Sequence, residues 1–344
     1  MEKISKLQMA AKILFIERKL QDGISIEKVF RQIAKSLTRE NFIYSFQQLQ
    51  YCNSVLGTLK NLLFFKYEEN DIYHITGHVH YMSLILPVEN TVLTIHDLGI
   101  LRIRRGLRRF VLKKILFDLP LRRLKYITTI STSVKNEIIY YTQCDESKIR
   151  VIENPLQEHF FLSAKKTFNS QCPTILQIGT TQNKNLENLI KALSGIVCRL
   201  KIIGKLEENI LSQLKAYKIN YENACNLNDE EIKAEYQNAD IVAFCSLYEG
   251  FGLPIIEAQA MRTPVITSNI SPLKEVAGGG AVLVNPNDFA SIKKGLESLL
   301  GNKILRENLI EKGIENIKRF EAKHISLSYE KLYKEIVRQN SQRI

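Results

Sequence analysis

Residues 240–268, DIVAFCSLYEGFGLPIIEAQAMRTPVITS, place an apolar strand, a glycine-rich turn, a helix and a second apolar strand in immediate succession. Glu249 lies on the turn, and Glu257 follows eight positions later in what reads as the first turn of the helix. Gly250 and Gly252 let the backbone come close to a ligand, and amides at a helix start present partial positive charge to an anion. Pro254 stands where a first helical residue is expected. Two carboxylates flanking such a turn can each accept hydrogen bonds from neighbouring hydroxyl groups. The stretch therefore suits a phosphorylated, hydroxyl-rich ligand, a nucleotide-sugar.

The same alternation of strand and helix runs along the chain. KILFIE (12–17) is predicted as the first strand, followed by a loop through Gly23 and a helix over 25–37, with Ser25 as cap and Lys28, Arg31 and Lys35 on its wet face. DIYHIT (71–76), TVLTIH (91–96), YITTIS (126–131) and IRVIENP (149–155) complete a first set of β-rich segments. Residues 156–172 lose the periodicity and read as a linker. A second set follows: PTILQIG (173–179), RLKIIG (199–204), DIVAFC (240–245), PVITS (264–268) and GAVLVNP (280–286). Helices are expected at 185–193 and at 229–237, the latter capped by Asn228, and the glycines at 278–280 read as a turn before a strand. The pattern predicts an α/β protein of two Rossmann-like, doubly wound domains facing across a cleft, with ligands at the carboxyl ends of the strands. Its expected parts are a first domain over 1–160, a second over 161–320 that carries the nucleotide-sugar turn, and a helix over 321–344 that packs back on the first.

Length and composition agree with that division. A chain of 344 residues, 45% hydrophobic and 24% charged, is an ordinary globular composition with room for two cores. The six cysteines, Cys52, Cys144, Cys172, Cys198, Cys225 and Cys245, are scattered singly, which indicates neither a disulfide framework nor a zinc cluster. The start, MEKISKLQMAAKILFIERK, carries only a short apolar run, so neither a signal peptide nor a transmembrane helix is predicted and a cytoplasmic protein is expected.

The formal charge of +12 is concentrated. Between residues 101 and 126 stand Arg102, Arg104, Arg105, Arg108, Arg109, Lys113, Lys114, Arg122, Arg123 and Lys125, with Asp118 as the only acid and apolar residues interleaved. The segment reads as a basic amphipathic helix. Docking on anionic lipid headgroups, a merely solvated face and nucleic-acid phosphate binding are the three readings; no nucleic-acid module accompanies the patch, so no nucleic-acid partner is expected. Neither half contains G-x-G-x-x-G or G-x-x-x-x-G-K-[ST], which removes the motif support for a nicotinamide cofactor or a phosphate-loop nucleotidase.

With these residues in place, the chain resembles glycosyltransferase family 4, the retaining enzymes of the two-domain GT-B fold. The carrying segments are SLYEGFGLPIIEAQAMRTPVITSNISPLKEVAGGGAVLVNP with its two glutamates, ILQIGTTQNKNLENLIKAL (175–193), ISTSVKNEI (130–138), VIENP (151–155) and TIHDL (94–98). Together they cover most of the chain beyond residue 70. The resemblance implies sugar transfer from a nucleotide diphosphate donor, with Glu249, Lys184 and His96 at the chemistry. It implies donor contacts from Glu257, holding the ribose hydroxyls, and from Gly250, Phe251, Gly252, Leu253, Gly179 and Thr180. The family's diphosphate loop carries Arg then Lys; this chain has Asn183 then Lys184, in a loop one residue shorter. Lys205, after RLKIIG, is the candidate for the missing cation, its alternative being a solvated lysine at a strand end. Removing a stabiliser of the leaving diphosphate typically costs on the order of 10²–10³ in rate.

On the acceptor side the candidates are Asp97, His78, His80 and Tyr81. The spacing His78-x-His80 invites a metal, yet a metal site needs further ligands that the sequence does not supply, so neither a metal nor another cofactor is expected. The absence of a D-x-D triplet points the same way. Gly23 replaces the glycine pair common in the family's first loop. The leading expectation is a transferase extending a polysaccharide or lipid-linked oligosaccharide at the inner membrane face, with Arg104, Arg105, Arg108, Arg109, Lys113 and Lys114 touching acidic lipid. The alternatives are a soluble transferase acting on a small molecule or glucan, a nucleotide-sugar epimerase of the same fold, and a non-catalytic homologue.

Overall fold

The computed structural model describes residues 10–19, 25–52, 54–160 and 167–342. The chain divides into two compact units, Met1–Pro155 with Ala322–Ile344, and Leu156–Glu321. Gly23 and part of the 156–172 linker lie outside the described residues, as does the side chain of Ser25.

The first unit is built on a six-stranded sheet of order β2-β1-β3-β4-β5-β6, parallel throughout. Its strands are β1 (Ala11–Glu17), β2 (Phe42–Gln48), β3 (Ile72–Ile75), β4 (Thr91–Ile95), β5 (Tyr126–Thr129) and β6 (Ile149–Val151). Every residue of β3, β4 and β5 is buried, as expected of strands covered on both faces. Between strands run α1 (Ser25–Ser36), α2 (Val55–Phe64), α3 (Gly99–Ile103), α4 (Gly106–Lys113), α5 (Leu119–Arg123) and α6 (Thr132–Thr142). The edge strand β2, FIYSFQQ, was not anticipated: only Phe42 is buried, and it lacks the apolar run that marks its neighbours.

The single basic helix expected between residues 101 and 126 is instead broken. The backbone is extended at the residues Arg104 and Arg105, Gly106 takes φ 60°, and a widened π turn, Lys114–Asp118, precedes α5. From Gly106 to Arg123 the backbone stays helical, through Lys113, Lys114, Asp118 and Leu119, and Pro120 accounts for the widened turn. The proline has no N–H to return to the carbonyl of Leu116 four residues earlier, and His80 Nδ1 donates to that carbonyl instead, at 2.9 Å.

The second unit repeats the architecture with a six-stranded sheet of order β12-β11-β10-β7-β8-β9, again parallel. In chain order it comprises β7 (Thr174–Ile178), α7 (Leu186–Leu193), β8 (Arg199–Ile203), α8 (Glu208–Ala216), β9 (Tyr221–Ala224), α9 (Asp229–Asn238) and β10 (Ile241–Phe244). Then come α10 (Leu253–Ala260), β11 (Val265–Ser268), α11 (Leu273–Ala277), β12 (Val282–Val284), α12 (Phe289–Gly301) and α13 (Lys303–Ile317). Asn228 and Glu231 form a reciprocal capping box on α9. The second edge strand, β9, reads YENA and escaped prediction because it is polar and mostly exposed. Gly278, at φ 56°, ends α11 in the left-handed conformation, so the glycine run closes a helix before it opens β12.

The last helix, α14 (Ala322–Ser341), belongs to the first unit. Tyr329, Leu332, Tyr333 and Ile336 join Phe15, Phe30, Phe42 and Val92 in one apolar cluster. Polar contacts fix its register: Thr38 donates from its amide and hydroxyl to Glu330 Oε1 at 2.7 and 2.8 Å, and Arg150 pairs with Glu335 at 2.7 Å. At the centre, His74 joins Tyr333 through Nδ1 at 2.6 Å and Thr94 through Nε2 at 2.7 Å. Burial and the nearby His96 push the His74 pKa down to about 3, which keeps the ring neutral. Tyr333→Ala should therefore destabilise the first unit by about 3–5 kcal/mol, the range for large aromatic truncations, whereas Tyr333→Phe should cost about 1 kcal/mol for one hydrogen bond. Urea unfolding followed by amide exchange in each unit measures this; a loss confined to the second unit would contradict the assignment of α14.

Candidate active site

In the second unit β7 sits at the centre, with β8 and β9 on one side and β10 to β12 on the other. The chain order reverses between β7 and β10, and open α/β sheets bind ligands beyond the carboxyl ends of strands at such a switch point. The residues following β7 and β10 meet there.

After β7 the chain turns at Gly179, φ 85°, where a β-carbon would stand 3.0 Å from Cγ and Cε of Lys184. The missing side chain lets the lysine stem pass over the turn. Lys184 Nζ reaches Glu249 Oε1 at 2.6 Å and lies 4.8 Å from the centre of the Phe244 ring. Asn183 Nδ2 donates to the same Oε1 and to the Tyr248 carbonyl, both at 3.2 Å, while its own carbonyl accepts from the Leu247 amide at 2.8 Å. Position 183 therefore supplies a neutral donor to Glu249 and stitches the two turns together. Glu249 Oε2 takes no hydrogen bond from the described residues.

Asn185 follows in a left-handed conformation, φ 62°, and its Nδ2 donates to the carbonyls of Cys245 and Pro286 at 2.9 and 2.7 Å. The sequence reading did not single it out. Thr180 donates to the Lys205 carbonyl at 2.6 Å, which puts Lys205 beside the β7 turn; its side chain is exposed, and no ion pair among the described residues engages it.

Across the switch point, Gly252 holds φ 121°, and a β-carbon there would stand 2.7 Å from Leu273 Cδ2. Leu253 begins α10 and Pro254 is its second residue. Phe251 is buried edge-on against Phe320, with ring centres 5.7 Å apart, so it anchors the turn, and Gly250 precedes it. Glu257 stands in the second turn of α10, one turn deeper than the sequence suggested. It is 9% exposed, and the Tyr236 hydroxyl donates to its Oε2 at 2.5 Å. Burial pushes the Glu257 carboxyl up to about 7; the Tyr236 hydroxyl pulls it down, Asp229 adds to the rise and Lys184 opposes it. Oε1 is left without a protein donor among the described residues. Tyr236, on the acidic helix α9, was missed; a tyrosine on the inward face of DEEIKAEYQN was the available signal.

The first unit has its own switch point, between β1 and β3. His96, just after β4, is buried and donates from Nε2 to the Thr76 carbonyl at 2.8 Å. Burial lowers its pKa to about 4, so the ring is neutral and Nδ1 is the acceptor nitrogen. Asp97 and His78 form a partly exposed pair at 3.4 Å. Burial raises the Asp97 pKa, yet His78, the Gly99 amide and His96 outweigh it and hold the carboxyl well below its ordinary value. His80 and Tyr81, expected on the acceptor side, are both buried. His80 serves the Leu116 carbonyl and is held neutral, its pKa lowered to about 3 chiefly by burial, while the Tyr81 hydroxyl accepts from Asn61 Nδ2 of α2 at 3.0 Å. Two further ion pairs went unread in the sequence: Glu17 with Arg31 at 2.7 Å and Arg18 with Glu27 at 2.8 Å, at the end of β1. Among the described residues no group of three His, Cys, Asp or Glu is placed to hold a metal ion.

Within the basic segment, Arg104, Arg105, Arg108 and Lys114 are exposed, together with Leu107, Phe110 and Val111. Arg109 lies 5.5 Å from the centre of the Tyr141 ring, and Lys113 pairs with Asp118 at 2.9 Å. No helix among the described residues is long and apolar enough to cross a membrane.

Comparison with known proteins gives a consistent set of relatives. Residues 159–316 match the family model described as glycosyl transferases group 1. The chain is 29% identical over 222 residues to the O-antigen chain mannosyltransferase RfbU of Salmonella typhimurium, a match spanning 62% of this chain and 61% of that protein's length. Among solved structures, sucrose-phosphate synthase of Thermosynechococcus elongatus superposes with a TM-score of 0.77 at 18% identity, covering 95% of this chain and 99% of that one. Anabaena Alr3699/HepE, solved in complex with UDP and glucose, gives a TM-score of 0.75 at 14% identity, covering 94% and 100%. At these identities the structures show the shared fold, two parallel-sheet, Rossmann-like domains of the GT-B type.

A pH dependence follows from Glu257. With an ordinary value of 4.5 and a folded value of about 7, its neutral form favours the native state. That contribution is complete below pH 4.5 and is lost as pH rises through about 7. Glu257→Gln should be more stable than the native sequence at pH 8 by on the order of 3 kcal/mol, the gap closing towards pH 4.5. Urea denaturation across that range measures it, and a gap independent of pH would mean that Glu257 titrates normally.

Proposed function

We propose that this chain, whose residues 159–316 match the model of the group 1 glycosyl transferases, moves a sugar from a nucleotide diphosphate donor to a polysaccharide or lipid-linked oligosaccharide, with retention of configuration. The observation that carries the reading is the meeting, at the carboxyl ends of β7 and β10, of the Lys184–Glu249 pair with a second, buried carboxylate. A nucleotide-sugar needs both kinds of group: a cation for the diphosphate and hydroxyl acceptors for ribose and sugar. In this reading Glu257 Oε1 receives the ribose hydroxyls while Tyr236 holds Oε2. Lys184 leaves Glu249 for the diphosphate, and Glu249 turns to the transferred sugar with Asn183 steadying it. The turn at residues 250–253 offers its amides, with Lys205 at the rim.

The bond between the sugar's anomeric carbon and the diphosphate oxygen breaks, and the diphosphate keeps the electron pair. Lys184 and the amides stabilise that charge without a metal. The acceptor hydroxyl forms the new bond to that carbon and passes its proton to an oxygen of the departing diphosphate. His96 offers Nδ1 to a hydroxyl of the donor sugar; Asp97 and His78 face the acceptor. The names of RfbU, an O-antigen chain mannosyltransferase, and of the UDP- and glucose-bound HepE support a surface-glycan product and a nucleotide-activated hexose. The exposed arginines and apolar residues of the basic segment support work at the inner face of a membrane with acidic lipid.

A thermal-shift panel of UDP- and GDP-sugars, with nucleotide-activated mannose and glucose included, should single out a donor. Glu257→Ala should weaken that donor about 10- to 100-fold, as expected for loss of a charged hydrogen-bond acceptor. Affinity of the native protein should climb as pH rises through about 7. Lys184→Ala should lower turnover by on the order of 10²–10³ while changing donor affinity less. A protein stabilised by no nucleotide-sugar would sink the reading. Flotation with acidic vesicles should be lost on replacing Arg104, Arg105 and Arg108 by serine; equal flotation with neutral vesicles would retire the membrane contact.

A further inference from the structure

Helix α2 is built inside out. Its buried positions are Gly57 and Asn61, small and polar, whereas Val55, Leu56, Leu59, Leu63 and Phe64 are 82%, 72%, 52%, 74% and 60% exposed. Gly57 lies so close to the preceding chain that a β-carbon would stand 2.0 Å from the Cys52 carbonyl oxygen. Asn61 is tied to the Tyr51 amide and carbonyl at 3.2 and 3.1 Å, and to the Tyr81 hydroxyl at 3.0 Å. The inward face is thus fixed by hydrogen bonds, and the apolar face cannot turn in without breaking them. An exposed apolar patch of this extent marks an interaction site.

Its surroundings select the partner. Residues 51–67 contain no carboxylate, and their charges are Lys60, over the Tyr51 ring at 5.3 Å, and Lys66; the acids Glu68, Glu69 and Asp71 come only after the helix has ended. Phe64, Phe65 and Tyr67 follow one another at the helix end, phenylalanines that suit the apolar side of an interfacial helix and a tyrosine that suits the lipid–water boundary. The 3₁₀ turn His80–Leu84 holds α2 through Tyr81 and the arginine-rich segment through His80, so neighbouring residues anchor an apolar helix and a basic one. Exposed apolar side chains beside exposed cations complement a bilayer with anionic headgroups.

We propose that α2 is an insertion element, entering the acyl region of an anionic bilayer with its outward face while the neighbouring basic segment holds the headgroups. The proposal rests on the membrane contact proposed above and adds a second, hydrophobic contact to it. The chain contains no tryptophan, so Leu63→Trp introduces a single fluorescent probe. On phosphatidylglycerol-containing vesicles its emission should shift to the blue and be quenched by acyl-chain-brominated lipid. Replacing Leu56, Leu59 and Leu63 together by serine should lower partition to those vesicles by at least about tenfold while leaving the thermal midpoint in solution unchanged. If the unmodified protein fails to float with acidic vesicles, the membrane reading and this proposal both fall. If it floats but Leu63→Trp emission does not move and the serine variant floats equally, the basic segment acts alone and α2 does not insert. If the serine variant instead dissolves a dimer seen by light scattering and keeps its vesicle partition, the face is an interface between copies of the chain, which also overturns the proposal.

Discussion

The candidate donor site depends on one side chain, Asn185. Its left-handed backbone is tolerated by asparagine better than by most residues, and both amide hydrogens are used, one on Cys245 and one on Pro286. Those carbonyls follow β10 and β12, beyond the last rungs of the sheet, where buried oxygens need donors; Asn188 Nδ2 also donates to the Pro286 carbonyl, at 3.0 Å. Asn185 thus ties the start of α7 to the ends of two other strands. Lys184 immediately before it, and Asn183 before that, inherit their positions from this tie. The reach of Lys184 to Glu249 depends on backbone fixed by a residue that touches neither group.

The two glutamates then differ because their neighbours differ. Glu249 has the Lys184 ammonium and the Asn183 side-chain amide on one oxygen. Glu257 sits inside the unit with a phenol as its hydrogen-bonding neighbour, and burial dominates. In the proposed reaction one carboxylate exchanges partners, whereas the other stays in place. A turn with two identical acids in identical surroundings would not separate those roles.

Much of this was legible because it is local. Buried parallel strands are continuous apolar runs, so β3, β4, β7, β10 and β11 announce themselves, while the half-wet edge strands β2 and β9 do not. The cluster from Glu249 to Glu257 and the loop from Gly179 to Lys184 are each one turn of chain and could be read as units. Tyr236 and Asn185 reach partners 21 and 60 positions away, and no periodicity records such a contact. The basic segment is helical from Gly106 onward, as its pattern suggests; what the pattern does not show is the extended backbone at Arg104 and Arg105 and the widened turn ahead of Pro120. His80 and Tyr81 looked like site residues because they follow a strand; the 3₁₀ turn that directs both inward has no signature in the alternation of apolar and polar residues.

The connection between the two units has a consequence for how the protein is made. The first unit is discontinuous: its sheet is finished at Pro155, but α14 begins at Ala322, after the whole of the second unit. A ribosome adding about 5–20 residues per second needs roughly ten to thirty seconds to supply the intervening segment of roughly 170 residues. Throughout that interval Phe15, Phe30 and Phe42 lack the tyrosines that cover them, and His74 lacks Tyr333. The continuous second unit is free to fold first. The nascent first unit is the stage at which a chaperone, or another unfinished copy, would find an open apolar face.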